Sequence, residues 1–398
     1  MKVEQKRIMI IGAGILQVPA IVKAKEMGLK VIAIDMDPNA PGFKLSDESI
    51  QLSTIDIENS LKKALEIKPD AVMTLASDMP IRTVAAIGEK CNLQTISFET
   101  ALDATDKGKM RKKLKKMNVP VPNFFIVSSL EQYLKVTKHF MGKFIVKPAD
   151  NSGSRGIVLV EDINNINEAY LYAKKHSKSG EVLVEEYLVG PEVSVETLTI
   201  NGKTHVIAIT DKLTTGAPHF VEMGHSIPSQ HPTRVQNEIK NLALAAIEAI
   251  GIDVGPSHTE IIVTPEGPKI VELGARLGGD NITTHLVPLA TGIDMVEFSI
   301  RLALGEDVKL PQIQSKGAAI RYLKTDTGIL KSVNYPSRLK QKNGVKEIAL
   351  TKNLGDRITK IGSSNDRIGY VITQGYSSRE AIEICEEALN LIEIKIIS

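Results

Sequence analysis

The stretch Phe144-Ile-Val-Lys-Pro-Ala-Asp-Asn-Ser-Gly-Ser-Arg-Gly156 constrains the fold more than any other part of the chain. It reads as a buried strand, a loop of small residues, and a second strand, Ile157-Val-Leu-Val160. Lys147 closes the first strand. Ser152, Gly153, Ser154 and Gly156 make a loop that can bend tightly and bring backbone N–H groups close to an anion. A lysine beside such a loop is a point charge suited to phosphate. The spacing is not that of a P-loop, because no Gly-Lys-Ser/Thr leads into a helix. A strand follows instead, which predicts a hairpin that folds over phosphates as a flap. An ordinary β-hairpin with a surface lysine satisfies the same local pattern, so the decision rests on the rest of the chain.

Length allows two to three domains among the 398 residues. Hydrophobic residues at 42% and charged residues at 24% are those of a soluble globular protein. A net charge of +2 argues against nucleic acid or membrane as partner. The absence of Trp and the scarcity of other aromatics disfavour base stacking. Cys91 and Cys385 lie far apart, which predicts no disulfide framework and no thiolate metal site. We expect no signal peptide and no bilayer-spanning run, hence a cytoplasmic protein.

The N-terminal third alternates strand and helix. Arg7-Ile-Met-Ile-Ile-Gly-Ala-Gly14, a helix carrying Ile15, Val18, Ile21 and Val22, and Val31–Ile34 ending at Asp35 form a βαβ unit. Gly12 and Gly14 are in place for a dinucleotide turn, but Gln17 stands where the third glycine belongs. Further alternation predicts strands at Ala71–Leu75 and Thr95–Phe98, with helices near Ser60–Ile67 and Ile81–Cys91. Parallel sheets gather ligands at their C-terminal strand ends. Ser77 and Asp78 lie at such an end, where they would touch a substrate or cap the next helix. A basic helix from Asp106 to Met117 buries Met110, Leu114 and Met117, with Asp106 serving its N-terminus and Lys107 left to reach a phosphate.

Beyond the flap, Glu181–Leu188 and Gly190–Leu198 read as strands, and Asn201-Gly202 is a hairpin signal. A long irregular loop is expected over residues 211–232, holding His219, Glu222 and His225. After a helix near Val235–Ile250 come two strands, Ser257–Val263 and Pro268–Leu273. Glu260 and Glu272 lie on them, and Arg276 comes just beyond. Two acids on adjacent antiparallel strands can share a face and hold a hard cation through oxygen. The segment from Ala318 onward reads as further strands and a helix at Ser377–Leu391.

Together these residues resemble the ATP-grasp superfamily of ligases, over essentially the whole chain. The resemblance implies an α/β and α+β multidomain fold. A Rossmann-like pre-ATP-grasp domain (1–105) would precede a two-lobed ATP-grasp domain (106–308, small lobe about 120–186) and a small β-rich C-terminal domain (309–398). It implies ATP and Mg2+ (or Mn2+) as cofactors. Lys107 and Lys147 would contact phosphate under the flap Ser152, Gly153, Ser154 and Gly156. Backbone groups of Glu186 and Leu188 would meet adenine, Glu185 its amino group and Glu192 the ribose. Glu260 and Glu272 would hold the metal, and Arg276 and Lys147 would act in catalysis. Gly274 replaces the asparagine that the family pattern places between Glu272 and Arg276, and water or Asn281 would take its place. His225, His258, Gly278 and Gly279 are candidates for substrate contact. The implied activity is ATP-dependent joining of a carboxylate and an amine through an acyl phosphate, both partners being small molecules and one amino-acid-like, in a possible homodimer. Bicarbonate or purine-precursor chemistry, or a non-catalytic ATP-binding protein, would share the motifs. A nicotinamide-dependent oxidoreductase would use Gly12, Gly14 and Asp35 but leave Lys147, Glu192, Glu260 and Glu272 without a role.

Overall fold

Four parallel strands open the chain: β1 (Arg7–Ile11), β2 (Lys30–Asp35), β3 (Glu48–Gln51) and β4 (Ala71–Met73), in the order β3-β2-β1-β4. The computed structural model describes residues 5–150, 156–162, 166–217 and 219–397. Side chains alternate across a strand, and β1 shows it cleanly. Ile8 and Ile10 face the core that takes in α1 (Val18–Glu26), whereas Met9 and Ile11 face that of α2 (Ile57–Ile67) and α3 (Pro80–Cys91). Gln17 fills the glycine turn: it accepts from the Leu75 N–H at 2.7 Å, and a Cβ on Gly12 would lie 2.9 Å from its Cγ. Asp35 accepts from the N–H groups of Ala13 and Asp37.

The expected strand at Thr95–Phe98 is absent. Ser97 instead caps α4 (Phe98–Thr105) by accepting from the Thr100 N–H, and Glu99 complements the first turn. A side-chain cap outweighed the local strand propensity. Asp106 then caps α5 (Lys107–Lys116) through the Lys109 N–H.

A second sheet combines β5 (Phe124–Val127), β6 (Phe144–Pro148), β7 (Val158–Val160) and β8 (Val182–Glu186), antiparallel in the order β5-β8-β6-β7. One face packs on α6 (Leu130–Val136) and α7 (Ile166–His176) through Val127, Phe144, Val146, Val182 and Val184. Alternation therefore puts Ile145 and Lys147, with Leu183 and Glu185 paired to them in register, on the opposite face.

The largest sheet has eight strands: β9 (Glu192–Ile200), β10 (Lys203–Thr214), β11 (Glu222–Ile227), β12 (Gly255–Thr264), β13 (Gly267–Gly274), β14 (Gly317–Tyr322), β16 (Val345–Leu350) and β18 (Gly369–Gly375). Between and after these come β15 (Gly328–Asn334), β17 (Arg357–Ile358) and β19 (Glu393–Ile397), a separate three-stranded sheet. The expected loop at 211–232 is thus mostly the β10–β11 hairpin, whose mixed polar pattern reflects one buried polar face. Nor do β14, β16 and β18 make a sheet of their own: β14 pairs with β11 and continues the central sheet. Helix α8 (Thr233–Ile250), closed by Gly251 at φ 90°, packs Ile239, Ala243, Ala246 and Ile247 against Val193, Val195, Ile261 and Leu273 on one face. α9 (Val287–Thr291) and α10 (Met295–Ala303) belong to the core shared with α1, and α11 (Ser378–Asn390) covers β14 and β18.

The link into β9 is tight, because a Cβ on Gly190 would lie 2.1 Å from the Val263 carbonyl oxygen. Backbone cannot move aside as a flexible side chain does, so Gly190→Ala should lower stability by about 1–3 kcal/mol. Denaturant melts check this, and an unchanged midpoint would show that the margin between the two segments is looser.

Candidate active site

Two surfaces, one on the four-stranded antiparallel sheet and one on the eight-stranded sheet, carry the charged residues that the sequence singles out. On the smaller sheet Glu185 is the centre. Arg111 Nε donates to its Oε1 at 2.5 Å and Lys147 Nζ lies 2.5 Å from its Oε2, all three buried. Arg111 Nη2 continues to the Val271 carbonyl at 2.6 Å, tying α5 and the smaller sheet to β13. Burial alone would raise the Glu185 carboxyl, but Arg111 and Lys147 hold it down at about 2. Burial, with Arg111 nearby, draws the Lys147 ammonium below its ordinary value despite Glu185. Two cations share one carboxylate, so this surface carries an excess of positive charge and favours an added anion. Each Glu185 oxygen meets a cation, a pairing that the reading of this residue against an adenine amino group does not include. Arg111 was not anticipated: among so many lysines on α5, nothing in the sequence marks the residue four beyond Lys107 as inward.

The larger sheet has the opposite balance. Glu260 and Glu272 are register partners on β12 and β13. Glu272 accepts from Lys107 Nζ at 2.6 Å. Glu260 lies 2.7 Å from Lys212 Nζ, which also reaches Glu192 at 2.5 Å and Glu222 at 3.7 Å. One ammonium among three carboxylates is held well above its ordinary value, against the cost of burial, and burial together with Glu260 raises Glu192. The net negative charge favours an added cation. Lys212 was also missed, hidden in the stretch read as loop. Alternation along a strand would have placed it with Glu192 once β10 was recognised.

His258 extends this network. Its Nδ1 is 2.7 Å from Glu196 and its Nε2 3.4 Å from Glu260. Buried and doubly engaged, it supports Glu260 and is not placed to meet a substrate. Gly278 packs on this pair, a Cβ there falling 2.8 Å from both Glu196 Oε2 and His258 Nδ1, and Gly279 lies beside Ala76. Arg276 Nε donates to Asp78 Oδ1 at 2.8 Å, so the segment after β4 reaches the segment after β13. His225 lies in β11, buried, with Nε2 3.5 Å from Asp280, whose carboxylate is clasped by Arg367 at 2.7 and 2.8 Å.

Glu186 uses its N–H on the Asn123 carbonyl at 2.8 Å and its carboxylate on Lys269, so its N–H is not available to an adenine edge. Leu188 is buried just beyond. Gly156 adopts φ 83°, and a Cβ there would meet His176 and Pro148 at 2.7 Å. Ser152, Gly153 and Ser154 lie outside the described residues.

A family model for the ATP-grasp domain matches residues 141–284, and one for the L-amino acid ligase C-terminal domain 2 matches residues 321–396. The chain carries an ATP-grasp domain. The formate-dependent phosphoribosylglycinamide formyltransferase of Saccharolobus solfataricus is 25% identical over 98% of this chain and 97% of its own length. The L-arginine-specific L-amino acid ligase of Bacillus subtilis is 25% identical over 67% of this chain and 66% of its own. The solved L-amino acid ligase of Bacillus licheniformis superposes with a TM-score of 0.82 at 23% identity, covering 100% of both chains. Among the described residues no three of His, Cys, Asp and Glu are grouped to hold a metal unaided. The pair Glu260 and Glu272 nevertheless fits magnesium, which takes one or two carboxylates and completes its shell with phosphate and water. No helix among the described residues is long and apolar enough to cross a membrane.

Burial opposes protonation of His258, but Glu196 and Glu260 raise it to about 9. A folded value above the unfolded one adds stability that is complete below about pH 6.5 and lost as pH rises through about 9. His258→Gln should therefore lose less stability than the parent between pH 7 and 10. Equal losses would mean that His258 is neutral in the fold.

Proposed function

We propose that this protein joins a carboxylate to an amine at the expense of ATP, through an acyl phosphate, releasing ADP and phosphate. One observation supports this above others: a surface with excess positive charge at Lys147 and Arg111 is accompanied by one with excess negative charge at Glu260, Glu192 and Glu222. A metal–triphosphate complex has both signs and matches both surfaces. Lys107 and Lys147 are assigned to phosphate, Glu192 to the ribose, Leu188 to the adenine hinge, and Glu260 and Glu272 to magnesium. Magnesium, when bound, would neutralise charge between the phosphate oxygens. Lys107, now on Glu272, would then turn to phosphate.

The chemistry requires little covalent help from the protein. The substrate carboxylate attacks the γ-phosphorus and ADP departs. The amine adds to the acyl carbon, loses a proton, and phosphate leaves. Arg276 and Lys147 stabilise the transferring phosphoryl group by position and charge. The match at residues 321–396 favours an amino-acid-like substrate. The full-length likeness to a formate-dependent enzyme supports a second reading, with a smaller acid and a purine-precursor amine. Domains at 1–105, 106–308 and 309–398, a cytoplasmic location and a homodimer belong to the same proposal.

Phosphate release with ATP, magnesium and pooled acids, including amino acids, formate and bicarbonate, tests it, with and without pooled amines. Release that requires an acid–amine pair is the expected result; release with bicarbonate alone would overturn it. Glu272→Gln should reduce turnover about a hundredfold or more while ATP binding persists. Lys147→Ala should weaken ATP binding about tenfold or more, through loss of a charge-assisted contact. Calorimetry on both variants separates these effects, and full turnover in either contradicts the assigned roles.

A further inference from the structure

Asp78 lies in the segment that links β4 to α3, two residues before that helix begins. A carboxylate there would ordinarily cap the helix, yet α3 begins from Met79 with no side-chain cap. Asp78 instead leaves its own domain and takes Arg276. Arg276 Nε donates to Oδ1 at 2.8 Å, Nη2 reaches Oδ2 at 3.4 Å, and Nη1 donates to the Leu277 carbonyl at 3.2 Å. The guanidinium is planar and its fork is rigid. A carboxylate along the Nε–Nη2 edge therefore sets the direction of the whole group. Asp78 and Glu272 also line one small cavity with Lys107, which places Asp78 beside the assigned metal and phosphate residues.

Position 274 supplies an independent observation. A Cβ on Gly274 would lie 2.9 Å from Asp78 Oδ1, 3.1 Å from Arg276 Nε and 3.3 Å from Arg276 Cγ. No left-handed backbone requires this glycine, and a side chain there would meet the Asp78 and Arg276 side chains, which their mutual hydrogen bonds hold in place.

We propose that Asp78 is a positioning residue for Arg276, and that position 274 is a glycine because the Asp78–Arg276 pair occupies the volume a side chain would need. The N-terminal domain thereby takes part in the active site by aiming the arginine assigned to the transferring phosphoryl group. The proposal rests on the role given to Arg276 above, while its geometric half stands without it.

Two measurements test it. In thermal melts Gly274→Ala should lower Tm, and Asp78→Ala on that background should recover part of the loss. Additive losses would overturn the steric half, whatever the reaction turns out to be. In phosphate release, with an acid–amine pair the parent uses, Asp78→Asn should lower kcat about tenfold or more with KM for ATP within about twofold. Asn keeps the shape and loses the charge. An unchanged kcat, or a fall in kcat accompanied by a matching fall in Tm and rise in KM, would overturn the positioning role. A parent that shows no turnover with any pair speaks against the ligase reading, and the melts then decide this one.

Discussion

Buried charge is the constraint on which the active region depends. Removing a charge from water is costly unless a partner compensates. The protein compensates unevenly on purpose-built surfaces: Arg111 and Lys147 share Glu185, whereas Glu192, Glu222 and Glu260 share Lys212. Each surface is stable enough to fold, and each retains an excess of one sign. The same imbalance that would weaken a purely structural core leaves each surface with charge to attract a group of the opposite sign.

Strand register brings these groups together. Lys147 lies on the charged face because Phe144 and Val146 face the helices on the other side of the same sheet. Glu260 faces Glu272 because the two are paired across β12 and β13, while Ile261 and Leu273 take the apolar face under α8. A one-residue slip in either sheet would bury the wrong set. The hydrophobic core therefore fixes the chemistry by fixing which side of each strand is left over for polar residues.

Much of this is legible before folding. The βα alternation, the strand carrying Lys147, the Asn201-Gly202 turn and the paired acids each have a local signature of period, turn residue or spacing. What is not legible depends on contacts distant in sequence. Lys212 looks like part of a loop because β10 and β11 bury polar residues and so lack clean alternation. Arg111 is one basic residue among many until α5 is placed. Asp78 reads as a substrate contact or a helix cap, and only the approach of the segment after β13, from about two hundred residues away, reveals its partner. Ser97 shows the converse, a local cap that the apolar run around it conceals.

The acyl phosphate is the central claim, and oxygen transfer tests it directly. With a substrate acid labelled with 18O in its carboxylate, attack on ATP followed by amine displacement must carry one labelled oxygen into the released phosphate. The account predicts phosphate with a single label for each amide formed. Unlabelled phosphate accompanying amide formation would contradict it.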